Sequence, residues 1–223
     1  MALEVVTKDC TQLSDAELAE MADLCAEGPS NYEVGALSKQ AEAWVLSTSV
    51  RDGSSLRGFS FSTLERIGGT PSILLGMGAV RRHSKRDAAL KAVVADNFRR
   101  ALMAFPDEDV LFGSRFNRPD GFEAYKSLID VIPRPGHKAS GEERAWGRRL
   151  AKRFGVDAAY DDQSFVVGGD GTYPLVFDHE SLKPETLDPE VVKLFKPLKA
   201  KQGDCLITFG WIMAEDLLKF GPS

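Results

Sequence analysis

Five basic-type side chains fall within six positions of the stretch GMGAVRRHSKRDAALKAVV, Gly76 to Val94: Arg81, Arg82, His83, Lys85 and Arg86. They stand between an apolar run and a segment of helical spacing, where a strand would hand over to a helix. Unpaired amides at a helix N-terminus and the helix dipole together favour an anion there. A cradle for a phosphate-bearing cofactor is therefore one reading of this turn. A solvated charged loop is the second, since exposed charges often pair only with water and scattered acids. A nucleic-acid contact is the third, and the net charge of -5 disfavours it because that work needs a broad positive field.

Other chemistries lack their residues. His83, His137 and His179 are the only histidines, and none has a second ligand-type residue at a recognised zinc spacing, so no metal site is expected. Cys10, Cys25 and Cys205 are odd in number and widely spaced, which suits neither a CxxC site nor a disulfide framework. Reduced thiols are expected, with Cys205 of GDCLITFGW at a strand core position. There is no G-x-S-x-G elbow and no P-loop, and GMGAVR fails the dinucleotide fingerprint at its last position. The run GGDG, Gly168 to Gly171, reads as a hairpin turn. No apolar run approaches the roughly 20 residues that span a bilayer, and the opening MALEVVTKDCTQ lacks signal-peptide order. The expectation is a cytoplasmic protein with no membrane partner.

The elements that must position the basic turn follow from periodicity. LEVVTKDC has strand composition, and SDAELAEMADLCAEG reads as a helix with Ser14 as N-cap, Glu17 completing a capping box and Gly28 as its stop. GPSNYEVGALSKQA reads as a loop. EAWVLSTSV, with Trp44, Leu46 and Thr48 alternating, and LRGFSFSTLERIGG, with Phe59 and Phe61 on one face, read as a hairpin through RDGSS. TPSILLGMGAV reads as a central strand covered on both sides, where Gly76 and Gly78 mark a bulge or a close backbone approach. Leu90, Val93, Val94, Phe98 and Ala101 recur at helical spacing from Asp87 to about Ala104, and Asp87 suits an N-cap. DEDVLFGSRFN reads as a further strand, and PDGFEAYKSLIDVI as a helix opened by Pro119. Further on, GEERAWGRRLAKRFG and DPEVVKLFKPL read as helices, QSFVVGG and GDCLITFGWI as strands. With no repeat and no long linker, a single domain over 1–223 is expected.

The succession SILLGMGAV, RRHSKRDAALKAVVADNFRRAL, DVLFGSRFN and PDGFEAYKSL resembles the GCN5-related N-acetyltransferase (GNAT) superfamily. The resemblance covers a core of roughly 1–133. The remainder, 134–223, is similar to the C-terminal extension of a group of bacterial GNAT-like proteins and is expected to pack on the core. The fold this implies is an α/β (α+β) GNAT-like acyl-CoA N-acyltransferase fold. It has a mixed, mostly antiparallel central sheet with helices on both faces. The resemblance also implies a V-shaped slot between TPSILLGMGAV and DVLFGSRFN for the pantetheine of acetyl-CoA or another acyl-CoA, with the pyrophosphate at the helix N-terminus.

Carried over residue by residue, the resemblance implies a cofactor set of Met77, Gly78, Ala79 and Val80 on the strand and Lys85, Arg86, Asp87 and Ala88 at the turn. Asn117 joins them at the opening of the next motif. The family pattern Arg/Gln-x-x-Gly-x-Gly/Ala falls here on KRDAAL, so Lys85 holds the basic place, Ala88 the first glycine and Leu90 the second. Tyr125 stands about where the family's general acid lies, one residue further from Asn117 than usual, and it could equally be a packing tyrosine. Glu65 and Glu123 are the carboxylates the fold could bring to the slot as a base; solvated surface acids are the alternative.

Two functions follow. One is an acyl-CoA-dependent N-acyltransferase acting on a small-molecule or protein amine. The other is a GNAT-fold protein without transferase activity that serves as a binding or assembly module, as the missing glycines suggest. An open slot lined by unpaired amides would mark the first, and a slot filled by the protein itself the second. Exposed aromatics on the third strand, with the tail, could form a homodimer face.

Overall fold

Ser14 accepts the Glu17 amide while the Glu17 carboxylate takes that of Ser14, and this box starts helix α1, Asp15–Ala26, in the computed structural model, which describes residues 3–221. Strand β1, Glu4–Asp9, precedes it. The stretch read as a loop carries a second helix, α2, Val34–Ala43. It has no side-chain cap and only Leu37 is fully buried, so the usual start signal and a broad apolar stripe are both missing.

Strands β2, Leu46–Asp52, β3, Ser55–Ile67, and β4, Thr70–Val80, form an antiparallel meander. Phe59 and Phe61 share a face as their alternation predicts, with ring centroids 5.9 Å apart, but both are fully buried. The third strand therefore offers no exposed aromatic face for a dimer. Opposite Ser60 and Ser62 of β3, β4 takes one more residue to go from Leu75 to Gly78, which makes a β-bulge. Gly76 is required there, because a Cβ would stand 2.4 Å from the Trp44 ring.

Helix α3, Arg86–Ala104, follows and buries Leu90, Val93, Phe98 and Ala101. Its N-cap position falls on Lys85, which makes no side-chain cap, and Asp87 serves elsewhere. Strand β5 is Val110–Phe116. The segment read as one helix from Pro119 is instead a 3-10 turn, Pro119–Tyr125, and then strand β6, Ile129–Ile132. Gly121 lies so close to Phe116 that a Cβ would be 2.1 Å from its ring, so the backbone follows that ring. Val131 and its neighbours then join a sheet rather than a helix face.

Helix α4, Gly141–Arg153, opens with a second capping box, Ser140 with Glu143. After it come β7, Tyr160–Asp161, β8, Val166–Val167, β9, Phe177–Asp178, helix α5, Pro189–Phe195, β10, Cys205–Ile212, and helix α6, Ala214–Leu217. Gly168 to Gly171 form no hairpin turn: the Gly169 amide donates to Asp204 and that of Gly171 to the Gln202 carbonyl, and the chain moves on to another part of the sheet.

The sheet runs β1-β2-β3-β4-β5-β10-β8-β7, with β6 on β10 and β9 on β4. Among the described residues only the β4–β5 and β4–β9 pairs are parallel. Thr48 faces Ser60 and Leu74 faces Thr63, and positions 60 and 63 of one strand point to opposite sides. Asp96 of α3 holds the first side, accepting the Thr7 hydroxyl, which in turn lies 2.7 Å from Thr48 Oγ1. Leu150 of α4 covers the second, beside Leu74 at Gly113. Helices thus cover both faces of a mixed, mostly antiparallel sheet.

Candidate functional site

Parallel pairing of β4 with β5 is brief: Ser72 with Leu111, Ile73 with Phe112 and Leu74 with Gly113. Beyond these the two strands part, and the opening lies against Met77 to Val80. On one edge those residues are paired to β3, through Gly78 with Ser60, Ala79 with Phe59 and Val80 with Gly58. The other edge is taken by the protein itself. Strand β9 adds to β4 in parallel, Gly78 with Phe177 and Ala79 with Asp178, and the Gly78 amide donates to the Val176 carbonyl at 3.4 Å. Gly78 permits this approach, since a Cβ would meet the Phe59 carbonyl at 2.4 Å and the Phe177 ring at 2.8 Å.

Residues 174–182 form a strap whose fastenings are polar as well as apolar. The Tyr32 hydroxyl donates to the carbonyls of Pro174 at 2.7 Å and Val176 at 3.2 Å, and accepts the Val176 amide at 3.1 Å. Burial raises the Tyr32 phenol well above its ordinary range, so it remains a neutral donor. Val176 and Phe177 are buried between the strands.

The basic turn closes on the same strap. Arg82 donates to Asp178 Oδ1 at 2.8 Å, and that carboxylate is wholly buried; Glu180 lies 3.5 Å from Arg82 Nε. Arg86 donates to the carbonyls of Glu180 at 2.6 Å and Ser181 at 3.0 Å and pairs with the Glu180 carboxylate. Asp87 accepts the Leu182 amide at 3.1 Å, and Asp120 that of Ser181 at 2.8 Å. His179 is buried with Nε2 at 3.2 Å from Asp87 Oδ1, and burial holds its imidazole below the ordinary histidine range. The anions beside Arg82 and Arg86 are thus Asp178 and Glu180 of the same chain. Its other members look outward to local partners, Lys85 to Asp52 at 2.8 Å and Arg81 to Glu27 at 3.1 Å, while the His83 ring accepts the Lys85 amide.

The remaining sequence candidates are dispersed. Ala88 is exposed, and Leu90, at the second glycine's place, is a core residue of α3. Asn117 is half-buried at the end of β5. Tyr125 is 3 % exposed; its hydroxyl donates to the Thr208 carbonyl at 3.1 Å and lies 3.0 Å from the Thr208 hydroxyl, and burial raises its pKa far above the ordinary phenol value. Glu123 pairs with Lys126 at 2.6 Å, and Glu65 with Arg153 of α4 at 2.6 Å. Glu123 and Tyr125 border one shallow cleft with Pro133 and Val191, and Glu65 is not part of it.

Sequence reasoning missed Tyr32 and the strap. Its signal was present in YPLVFDHE, where a short apolar run precedes two acids that complement RRHSKR. Among the described residues no cluster of His, Cys, Asp and Glu could hold a metal ion, and no helix is long and apolar enough to cross a membrane.

No protein-family model matches the chain, and no curated protein matches it by sequence. Solved structures do resemble it. A Bacillus subtilis acetyltransferase in complex with CoA is 11% identical, with 95% of this chain and 100% of that one covered and a TM-score of 0.46. The ribosomal-protein-S18-alanine N-acetyltransferase of Escherichia coli is 9% identical over 94% and 95%, TM-score 0.45. An acyl-CoA N-acyltransferase of Pseudomonas aeruginosa is 10% identical over 63% and 93%, TM-score 0.40. Each is a partial likeness at low identity. The strand order, the parting of β4 from β5 and the helix that follows β4 are read from this chain itself.

Proposed function

We propose that this chain is a divergent GNAT-like protein that works as a binding or assembly module, with the place of acyl-CoA held by its own residues 174–182. One observation carries the reading: β9 occupies the edge of Gly78 and Ala79 where pantetheine would add as a strand, while Asp178 and Glu180 satisfy Arg82 and Arg86. The absence of glycine at Ala88 and Leu90 and the buried, hydrogen-bonded Tyr125 support it. Its three cysteines are buried thiols among the described residues, which suits a reducing cytoplasm.

A second reading is favoured by the brevity of β9, whose ladder on β4 involves only Phe177 and Asp178. Displacing it would bare Gly78 and Ala79 and release Arg82 and Arg86 for a pyrophosphate. The chain would then be a latent N-acyltransferase taking acetyl-CoA and a small-molecule or protein amine. Calorimetric titration with CoA and with acetyl-CoA separates the two. The module reading expects no saturable heat up to about 1 mM, a limit near 4 kcal/mol of binding free energy. Micromolar binding by the unaltered chain overturns it.

A further inference from the structure

Arg115, on β5, is 6 % exposed, and among the described residues no acid pairs with it. Its Nε is buried without a hydrogen-bond partner, and its guanidinium lies on the Phe154 ring, 4.8 Å from the centroid. A buried arginine that keeps its charge ordinarily has a carboxylate beside it, because the desolvation of a lone charge is expensive. The titratable groups beside it are the Cys205 thiol and the Tyr32 phenol, both held neutral by burial, with the thiol pushed up to about 11, so neither offsets its charge. Asp204, next to Cys205, is fully used: Oδ1 takes the Gly169 amide at 3.0 Å and Oδ2 that of Lys199 at 2.9 Å.

Arg115 borders a cleft of about 350 Å³, lined also by Gly168, Gly169, Tyr173, Leu175 and Cys205. The other charged side chain on it is Asp170, exposed and turned to its own Thr172, whose amide and hydroxyl it accepts. The cleft therefore combines one buried positive fork with largely apolar walls, and its glycine amides are already taken, that of Gly168 by the Ala159 carbonyl and that of Gly169 by Asp204. A planar monoanion matches the fork in geometry and in charge, whereas a dianion would be left uncompensated beside Asp170.

We propose that this cleft binds a small organic carboxylate, its carboxylate forked by Arg115 and its apolar body set against Tyr173 and Leu175. The cleft takes Leu175 from the strap and so rests on the reading that the strap stays seated, but it lies apart from the strap's contacts with the basic turn, and a CoA titration tests that reading separately.

The test uses the full chain at constant ionic strength, with thermal melting and calorimetry against acetate, benzoate, neutral benzamide and inorganic phosphate. At least one carboxylate should raise the melting temperature saturably, and benzamide should not. Arg115→Met should weaken that carboxylate at least tenfold while the ligand-free variant melts no lower than the parent, because an unanswered buried charge has been removed. Should that variant not fold, Arg115→Lys keeps the charge without the fork and should also weaken binding. No saturable carboxylate effect, an equal effect of benzamide, a response to phosphate alone, or binding unchanged by either substitution overturns the proposal.

Discussion

Replacing Asp178 by Asn tests how firmly the strap is held. The carboxylate is wholly buried and, among the described residues, its one ion-pair partner is Arg82, 18 % exposed, at 2.8 Å. Removing one member of a buried pair typically costs about 3–5 kcal/mol, because the other charge is left uncompensated. Here Arg82 keeps Glu180 at 3.5 Å and some access to water, which places the loss near the lower bound, about 3 kcal/mol. For a chain of this length that corresponds to a fall of roughly 6–12 °C in melting temperature. Urea unfolding of D178N, R82M and the double variant gives the coupling directly. The double variant should lose less than the sum of the singles by more than about 1 kcal/mol. Additive losses, or a D178N loss within about 0.5 kcal/mol of zero, the range of ordinary surface changes, would refute the reasoning.

Three further outcomes are expected. Gly78→Ala would press a Cβ against the Phe59 carbonyl at 2.4 Å and the Phe177 ring at 2.8 Å, and since the backbone oxygen cannot yield, the loss in urea unfolding should be about 2–3 kcal/mol. Tyr32→Phe leaves the Val176 amide and the Pro174 carbonyl without this partner, while the Val176 carbonyl keeps the Gly78 amide, so stability should fall by about 1–3 kcal/mol, with faster amide exchange concentrated in 174–182. His179 is held below its ordinary value mainly by burial, with Asp87 and Asp120 opposing and Arg86 reinforcing. The unfolded chain then takes up the proton first as pH falls, so stability is full above about pH 7 and declines as pH drops through about 6.5 towards the folded value. The urea midpoint should be lower at pH 5.5 than at 7.5, and H179Q should flatten that slope; an unchanged slope excludes His179 as its source.

What was legible in the sequence follows its periodicity. The β2–β3 hairpin, the β4 strand, α3 and the capping box of α1 rest on local signals of two- and three-to-four-residue spacing, and each formed where those signals stood, whereas the second box, Ser140 with Glu143, went unread. Helix α2 was hidden because one buried leucine and an uncapped start carry almost no pattern. The segment after Pro119 was misread because Gly121 against Phe116 and the pairing of β6 with β10 override local helical spacing. At the site, the basic turn and the glycines of β4 were visible. Their partner was not, because Phe177 meets Gly78 across 99 residues of chain and a two-residue strand has no period to detect.

Amide hydrogen exchange with and without CoA tests most directly whether the strap fills the slot. Slow exchange of the Gly78 and Ala79 region and of 174–182 in the ligand-free protein, unchanged by CoA at about 1 mM, is the predicted result. Rapid exchange of 174–182, with protection of Gly78 and Ala79 appearing only when CoA is added, would contradict it and mark the slot as an open cofactor site.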